Sequence, residues 1–139
     1  MIINFTVPGK ITGKQRARVT KWGAHTPEAT VLYENLIKSM FLQKTKGETY
    51  QCYGGAVTLD IVAHMKMPKS FSQKKKIEKR GKACLKSPDK DNCEKVVADS
   101  LNMIAYKDDR QVWDGRTTKI WDDEEKLEIT IQYDEIIGE

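Results

Sequence analysis

Between Lys86 and Val112 the chain reads KSPDKDNCEKVVADSLNMIAYKDDRQV, with Asp89 and Asp91 on either side of one residue and Asp108 and Asp109 further on. On an extended backbone two residues spaced i, i+2 point the same way, so Asp89 and Asp91 could present their carboxylates together. Carboxylates held close need an opposite charge or a raised pKa. A hard divalent cation bound through oxygen supplies that charge, and Mg²⁺ suits one or two protein carboxylates completed by phosphate oxygens. Lys95 lies four residues beyond Asp91, one helical turn along the same face. There its ammonium could meet a scissile phosphate and offset charge developing in the transition state. Asn92 could orient a carboxylate. Plainer readings exist for each residue: helix capping for Asp89, Asp91 and Asn92, a surface ion pair for Lys95, solvated turn positions for Asp108 and Asp109. The second pair of acids approaches the first only if the chain returns beside the intervening helix. As a group, these residues make metal-dependent phosphodiester chemistry on nucleic acid plausible.

The charge distribution points to the same kind of partner. The net charge is +4, yet residues 66–86 carry nine basic and one acidic side chain, whereas residues 87–139 carry seven basic and fifteen acidic ones. The basic middle favours a polyanion. A protein that only coats phosphates gains nothing from carboxylates beside its basic loop. In GKQRARVT, Lys14, Arg16 and Arg18 would share one side of an extended segment. They are candidates for phosphate-backbone contacts, against the alternative of a solvated basic strand. Lys74, Lys75, Lys76, Lys79, Arg80 and Lys82 would act on DNA as a diffuse field. Phe71 could wedge into DNA or pin the basic segment as an apolar anchor. Trp22 and Tyr33 could stack on bases, though core or interface packing accounts for them as well. His25 and His64 have no neighbours at metal-ligand spacing.

A length of 139 residues fits one domain. No apolar run approaches the roughly 18 residues of a membrane span, and MIINFTVPGK lacks the basic and apolar succession of a signal peptide. Cys52, Cys84 and Cys93 form neither a zinc pattern nor a disulfide framework, which suggests reduced thiols and a cytoplasmic protein.

The elements that must position these groups follow from periodicity. Ile2–Val7 alternates as a strand, ended by Pro8-Gly9. Thr26-Pro27-Glu28 predicts a helix start, and Val31, Leu32, Leu36, Ile37, Met40 and Phe41 predict its buried stripe over about 27–44. Residues 56–65 read as a strand with Val57, Leu59, Ile61 and Ala63 on one face. Residues 66–86 read as a basic, mobile insertion with room for a short helix. Asp91–Met103 reads as the central helix, with Cys93, Val96, Val97, Ser100, Leu101 and Ile104 buried. Strand pieces at 111–113 and 117–121 flank the turn signal Asp114-Gly115. A last strand carries Leu127, Ile129 and Ile131. The sum is a single α+β domain over residues 1–139, a mixed β-sheet packed by helices on one face.

The string Pro88-Asp89-Lys90-Asp91-Asn92-Cys93-Glu94-Lys95, followed by Tyr106-Lys107-Asp108-Asp109-Arg110-Gln111-Val112, resembles the signature of the RusA-type Holliday junction resolvases of bacteria and their prophages. The N-terminal strand, the basic 13–20 stretch and the following helix are similar to the phage-borne branch. This resemblance implies a RusA-like fold and essential carboxylates at Asp89, Asp91 and Asp109, with Asp108 the less secure neighbour. It further implies a catalytic Lys95, Mg²⁺ as cofactor with Mn²⁺ as a substitute, and a homodimer. Such a dimer would cut symmetrically opposed strands of four-way junction DNA. Residues alone leave two alternatives open: a non-catalytic branched-DNA-binding recombination accessory protein, and a flap- or fork-selective nuclease.

Overall fold

The structure is a computed structural model that describes residues 1–14, 18–25 and 27–134. In chain order the elements are β1 (Ile2–Pro8), β2 (Arg18–Thr20), β3 (Gly23–His25), α1 (Glu28–Lys44), β4 (Val57–Lys66), α2 (Gln73–Lys79) and α3 (Lys90–Ser100). A 3-10 turn (Asp109–Gln111) and the strands β5 (Val112–Asp114), β6 (Thr117–Asp122) and β7 (Lys126–Tyr133) complete the chain. The expected α+β class and mixed sheet are present. β7 lies between β1 and β4 and is antiparallel to both, while β5 and β6 run parallel to β4. β2 and β3 form a separate two-stranded hairpin.

Alternation explains how the sheet buries one face. Ile3, Phe5 and Val7 of β1, Val57, Leu59, Ile61, Ala63 and Met65 of β4, and Leu127, Ile129, Ile131 and Tyr133 of β7 all point into one core. α1 and α3 cover that face, contributing Tyr33, Ile37 and Phe41 from one helix and Cys93, Val96 and Val97 from the other. α3 keeps its predicted stripe but stops at Ser100, with Leu101 as its C-cap and Met103 in the left-handed region at φ 66°. Ending there lets the chain turn back along the helix.

Three expectations are corrected. The buried stripe of α1 is Thr30, Tyr33, Ile37 and Phe41, whereas Val31, Leu32 and Leu36 face outward, Leu32 at 61% exposure. The apolar positions covered more than one face of the helix, and only the tertiary partner chose between faces. The predicted cap Thr26 lies outside the described residues, and Pro27 occupies the N-cap position without a side-chain cap bond. Asp114-Gly115 does not close a hairpin: β5 and β6 continue in one direction along the same edge of β4, pairing at Val57–Thr58 and then at Ile61–Lys66. Trp22 is 86% exposed, so it is not a core residue, and the Lys21 ammonium lies 5.1 Å from its ring centroid.

The basic segment contains α2, capped by Ser72, whose side chain accepts from the Lys75 N–H. Beyond α2 the chain lies against β6, with Gly81 N–H donating to the Trp121 carbonyl at 2.9 Å and Cys84 N–H to Lys119 at 3.1 Å. Phe71 is the anchor, edge-on to Trp121 at 5.5 Å. His64, with no role legible in the sequence, sits on the opposite sheet face between Asp122 (2.8 Å from Nδ1) and Glu128 (2.6 Å from Nε2), tying β4 to both its neighbours. No helix among the described residues is long and apolar enough to cross a membrane.

Candidate active site

α3 and the turn that follows it position all five of the predicted catalytic and metal-binding residues. Asp89 is the N-cap, its Oδ1 accepting the Asn92 N–H at 2.9 Å, so the capping reading holds for one of its oxygens. Asp91 is exposed in the first turn, and Lys95 is exposed one turn further on. The alternative Asp91–Lys95 ion pair does not form: among the described residues, Lys14, His64, Arg80 and Arg110 make the ion pairs. Among the described residues neither side chain has an ion-pair partner.

The return of the chain is fixed by Tyr106, whose hydroxyl donates to the Ala98 carbonyl at 2.6 Å, and by a bridge between Asn102 and Tyr106. This docks the 3-10 turn against the C-terminal half of α3. Asp108 caps that turn in a capping box: its Oδ1 accepts the Arg110 N–H at 2.9 Å, and the Gln111 side chain accepts the Asp108 N–H at 2.9 Å. The Arg110 backbone bond holds the Asp108 carboxyl below its ordinary range. Asp109 behaves in the opposite way. Partial burial, followed by the neighbouring Asp108 and Asp99, pushes its carboxyl above the usual range. Two adjacent acids are thus separated by environment, one spent on its own backbone and one crowded among carboxylates.

Asp99 is a member of this site that sequence reasoning missed. It lies two turns beyond Asp91 on α3, about 12 Å along the helix axis, and it faces Asp109. Its ion-pair partner is Lys14, with Nζ 3.2 Å from Oδ2, and the same ammonium meets Glu34 of α1 at 3.4 Å. The spacing Asp91–Lys95–Asp99 was a readable signal, one residue per turn on one face; Glu34 had none. Lys14, expected at a phosphate, is instead only 20% exposed at its side chain and enclosed by two acids. Its N–H also donates to the Asn92 carbonyl at 3.1 Å. That approach requires Gly13, where a Cβ would lie 2.7 Å from Pro88 Cβ and 3.0 Å from Asn92 Cβ. Arg18 opens β2, and Arg16 lies outside the described residues.

Lys14→Met is expected to lower stability by about 1 kcal/mol, because Glu34 and Asp99 are left facing each other without a cation. Junction affinity should not change, since the ammonium is turned inward. Urea denaturation and binding titrations in EDTA check both halves; a large loss of affinity at unchanged stability would return Lys14 to the DNA.

Of the remaining basic candidates, Arg80 forks onto Asp123 at 2.9 and 3.1 Å, and Lys75 sits 4.3 Å from the Phe71 ring centroid. Lys74, Lys79 and Lys82 are exposed and Lys76 is half-buried. The structure therefore gathers Asp99, Asp109, Glu34 and Lys14 at one end of the helix face and leaves Asp89 and Asp91 at the other. Among the described residues no three His, Cys, Asp or Glu side chains converge as a closed metal cage. The donors are all oxygens, as a hard divalent cation requires, and the crowding at Asp109 is of the kind such an ion relieves. An open row of carboxylates fits an ion completed by phosphate oxygens better than one held by protein alone.

Such a constellation on a mixed sheet suits a nuclease. Residues 8–132 match the Endodeoxyribonuclease RusA family, and the chain belongs to that family. It is accordingly an endodeoxyribonuclease of the Holliday-junction-resolving kind, which removes the non-catalytic alternative. The chain is also similar to the "Uncharacterized protein YqaN" of Bacillus subtilis (strain 168), at 34% identity over 137 residues covering 94% of this chain and 95% of that protein.

Proposed function

We propose that the protein is a Mg²⁺-dependent homodimeric resolvase that makes paired, symmetric cuts in four-way DNA junctions, with Mn²⁺ able to replace Mg²⁺. The observation that carries this reading is the row Asp91, Lys95 and Asp99 along one face of α3, with Asp89 at its start and Asp109 beside its far end. Asp89, Asp91 and Asp109 are the residues that would ligate metal, the first two at the start of the row and Asp109 at its far end, each end completed by phosphate oxygens. Bound there, it would neutralise charge on the phosphoryl oxygens. The chain's own contributions are distinct. Lys95, exposed and without an ion-pair partner among the described residues, supplies an ammonium to the scissile phosphate as negative charge develops. Asp99, paired with Lys14, stands beside Asp109 and pushes its carboxyl upward. Asp108 serves the 3-10 turn that carries Asp109. The reaction is hydrolysis of a P–O ester bond, with water as the incoming oxygen. A two-fold dimer suits a junction that presents two equivalent phosphates.

The test is to incubate the protein with a labelled four-way junction, a flap and a linear duplex, in Mg²⁺ and in EDTA. Paired symmetric nicks on the junction alone, abolished by EDTA, are expected; cuts at flaps or forks in preference would replace junction specificity by flap selectivity. Sedimentation as a monomer, with and without junction, would remove the dimer. The lysines of α2 should contribute affinity rather than chemistry. Replacing Lys74, Lys75 and Lys76 with Ala is expected to weaken binding and flatten its salt dependence, since fewer counterions are released. Parental affinity and slope would make these lysines a solvated surface.

A further inference from the structure

Four lysines to which no individual role has been given converge on one side of the molecule. Lys10 follows β1, Lys66 ends β4, Lys69 opens the basic segment and Lys86 closes it. They meet around a cleft of about 700 Å³ where the 123–125 turn passes across the end of β4. All four are exposed. None takes part in the ion pairs formed among the described residues. The acids on the same cleft are largely committed elsewhere: Asp123 to the Arg80 fork, and Glu125 to the Ile11 N–H at 2.8 Å and the Lys66 N–H at 3.3 Å. Among the described residues of the cleft, Glu124 and Glu125 are the acids without a cationic partner facing the four ammonium groups. A second cleft of about 510 Å³ runs from Lys10 past Ser87 and Pro88 to Asn92 at the start of α3. The two share Lys10 and adjoin through consecutive Lys86 and Ser87. Together they make one trough from the first turn of α3 to the foot of α2.

We propose that this trough carries the phosphate backbone of the DNA arm that leaves the active site, with Lys10, Lys66, Lys69 and Lys86 as its contacts. The proposal rests on the nuclease reading and extends it by assigning the path of the substrate. Its occupant follows from charge and continuity. Cations drawn from three separate parts of the chain line a groove whose near end is walled by Pro88 and Asn92, the chain neighbours of Asp89 and Asp91, and a polyanion crossing those carboxylates must leave over a surface that attracts it. Arg80 offsets Asp123, and four ammonium groups outnumber the remaining acids Glu124 and Glu125, so the field along the groove stays positive. The lysines of α2 then lie at the outer end of the same path.

The experiment compares pairs of substitutions that each remove two positive charges: Lys66→Gln with Lys69→Gln, Lys10→Gln with Lys86→Gln, and a control of Lys44→Gln with Lys46→Gln. The control pair lies by Ile2 and Ile3, at the other end of β1, about 20 Å from Pro8. Binding of a fluorescent four-way junction is followed in EDTA over a range of salt, with thermal melting to confirm folding and cleavage in Mg²⁺ recorded for the parent. Each trough pair should lose about tenfold in affinity near 100 mM salt and make the slope of log K against log salt shallower by about 1.8. The control should change affinity less than about twofold. If the parent binds and cuts junctions while trough pairs and control behave alike, the trough is overturned and the function stands. If the parent neither binds nor cuts, both fall together.

Discussion

Asp91→Asn is expected to slow single-turnover junction cleavage by about a thousandfold while junction affinity in EDTA is kept or slightly improved. Asparagine preserves shape and removes charge, so it weakens cation ligation without opening a cavity, and it removes a repulsion toward phosphate. Asp89→Asn and Asp109→Asn should do the same. Position 89 allows a sharp separation of roles. Asparagine caps a helix as well as aspartate does, so Asp89→Asn should retain stability, while Asp89→Ala should lose about 1 kcal/mol with the Asn92 N–H bond. Asp108→Asn is the contrast, with a milder defect, because its carboxylate already serves the Arg110 N–H. Lys95→Ala should lose most activity yet bind metal as the parent does. Near-normal cleavage by Asp89→Asn or Asp91→Asn would remove the metal site. Reversed effects at 108 and 109 would move the third ligand by one residue, and joint loss of binding and activity would reduce these acids to caps.

Gly115→Ala should destabilise the fold by about 3 kcal/mol or more. Gly115 has φ 140°, and a Cβ there would lie 1.8 Å from the Leu59 carbonyl oxygen and 2.6 Å from its carbon. Relief by rotation is blocked on the next residue, where Arg116 N–H donates to Asp60 Oδ1 at 2.8 Å and the Arg116 carbonyl accepts the Ile61 N–H at 2.9 Å. Alanine must push β5 or β6 off the middle of β4. Urea denaturation measures the cost, and an unchanged midpoint would mean that the step between these strands yields freely.

That glycine also shows where sequence reasoning stops. Asp114-Gly115 announced a special backbone conformation, which is correct, but the same signal serves a hairpin or a step between collinear strands. Only the edge of β4 decides which. Strong alternation in β1, β4 and β7 was legible because each strand has one buried face. In α1 apolar residues exceed what one face can bury, so Leu32 and Leu36 could not be told from Tyr33 and Ile37 without the partner helix. The local part of the site was equally plain, since Asp89, Asp91 and Lys95 sit within seven residues. Its long-range part was not. Lys14 looked like a DNA contact because its neighbours are basic, and nothing near it in the chain points to Glu34 or Asp99.

Among the described residues β7 is the last strand, and yet it separates β1 from β4. During synthesis the first strand therefore has no sheet partner until more than a hundred further residues have emerged, roughly 6–24 s at ordinary elongation rates. Residues 2–8 pair only with residues 126–133 in the sheet, so contacts of the longest possible range complete it and should make this closure slow. A chain cut short before Lys126 lacks the strand that joins β1 to β4 in the sheet. Hydrolytic competence then arrives with the last strand, and an abandoned translation product carries the acids without the scaffold that aims them.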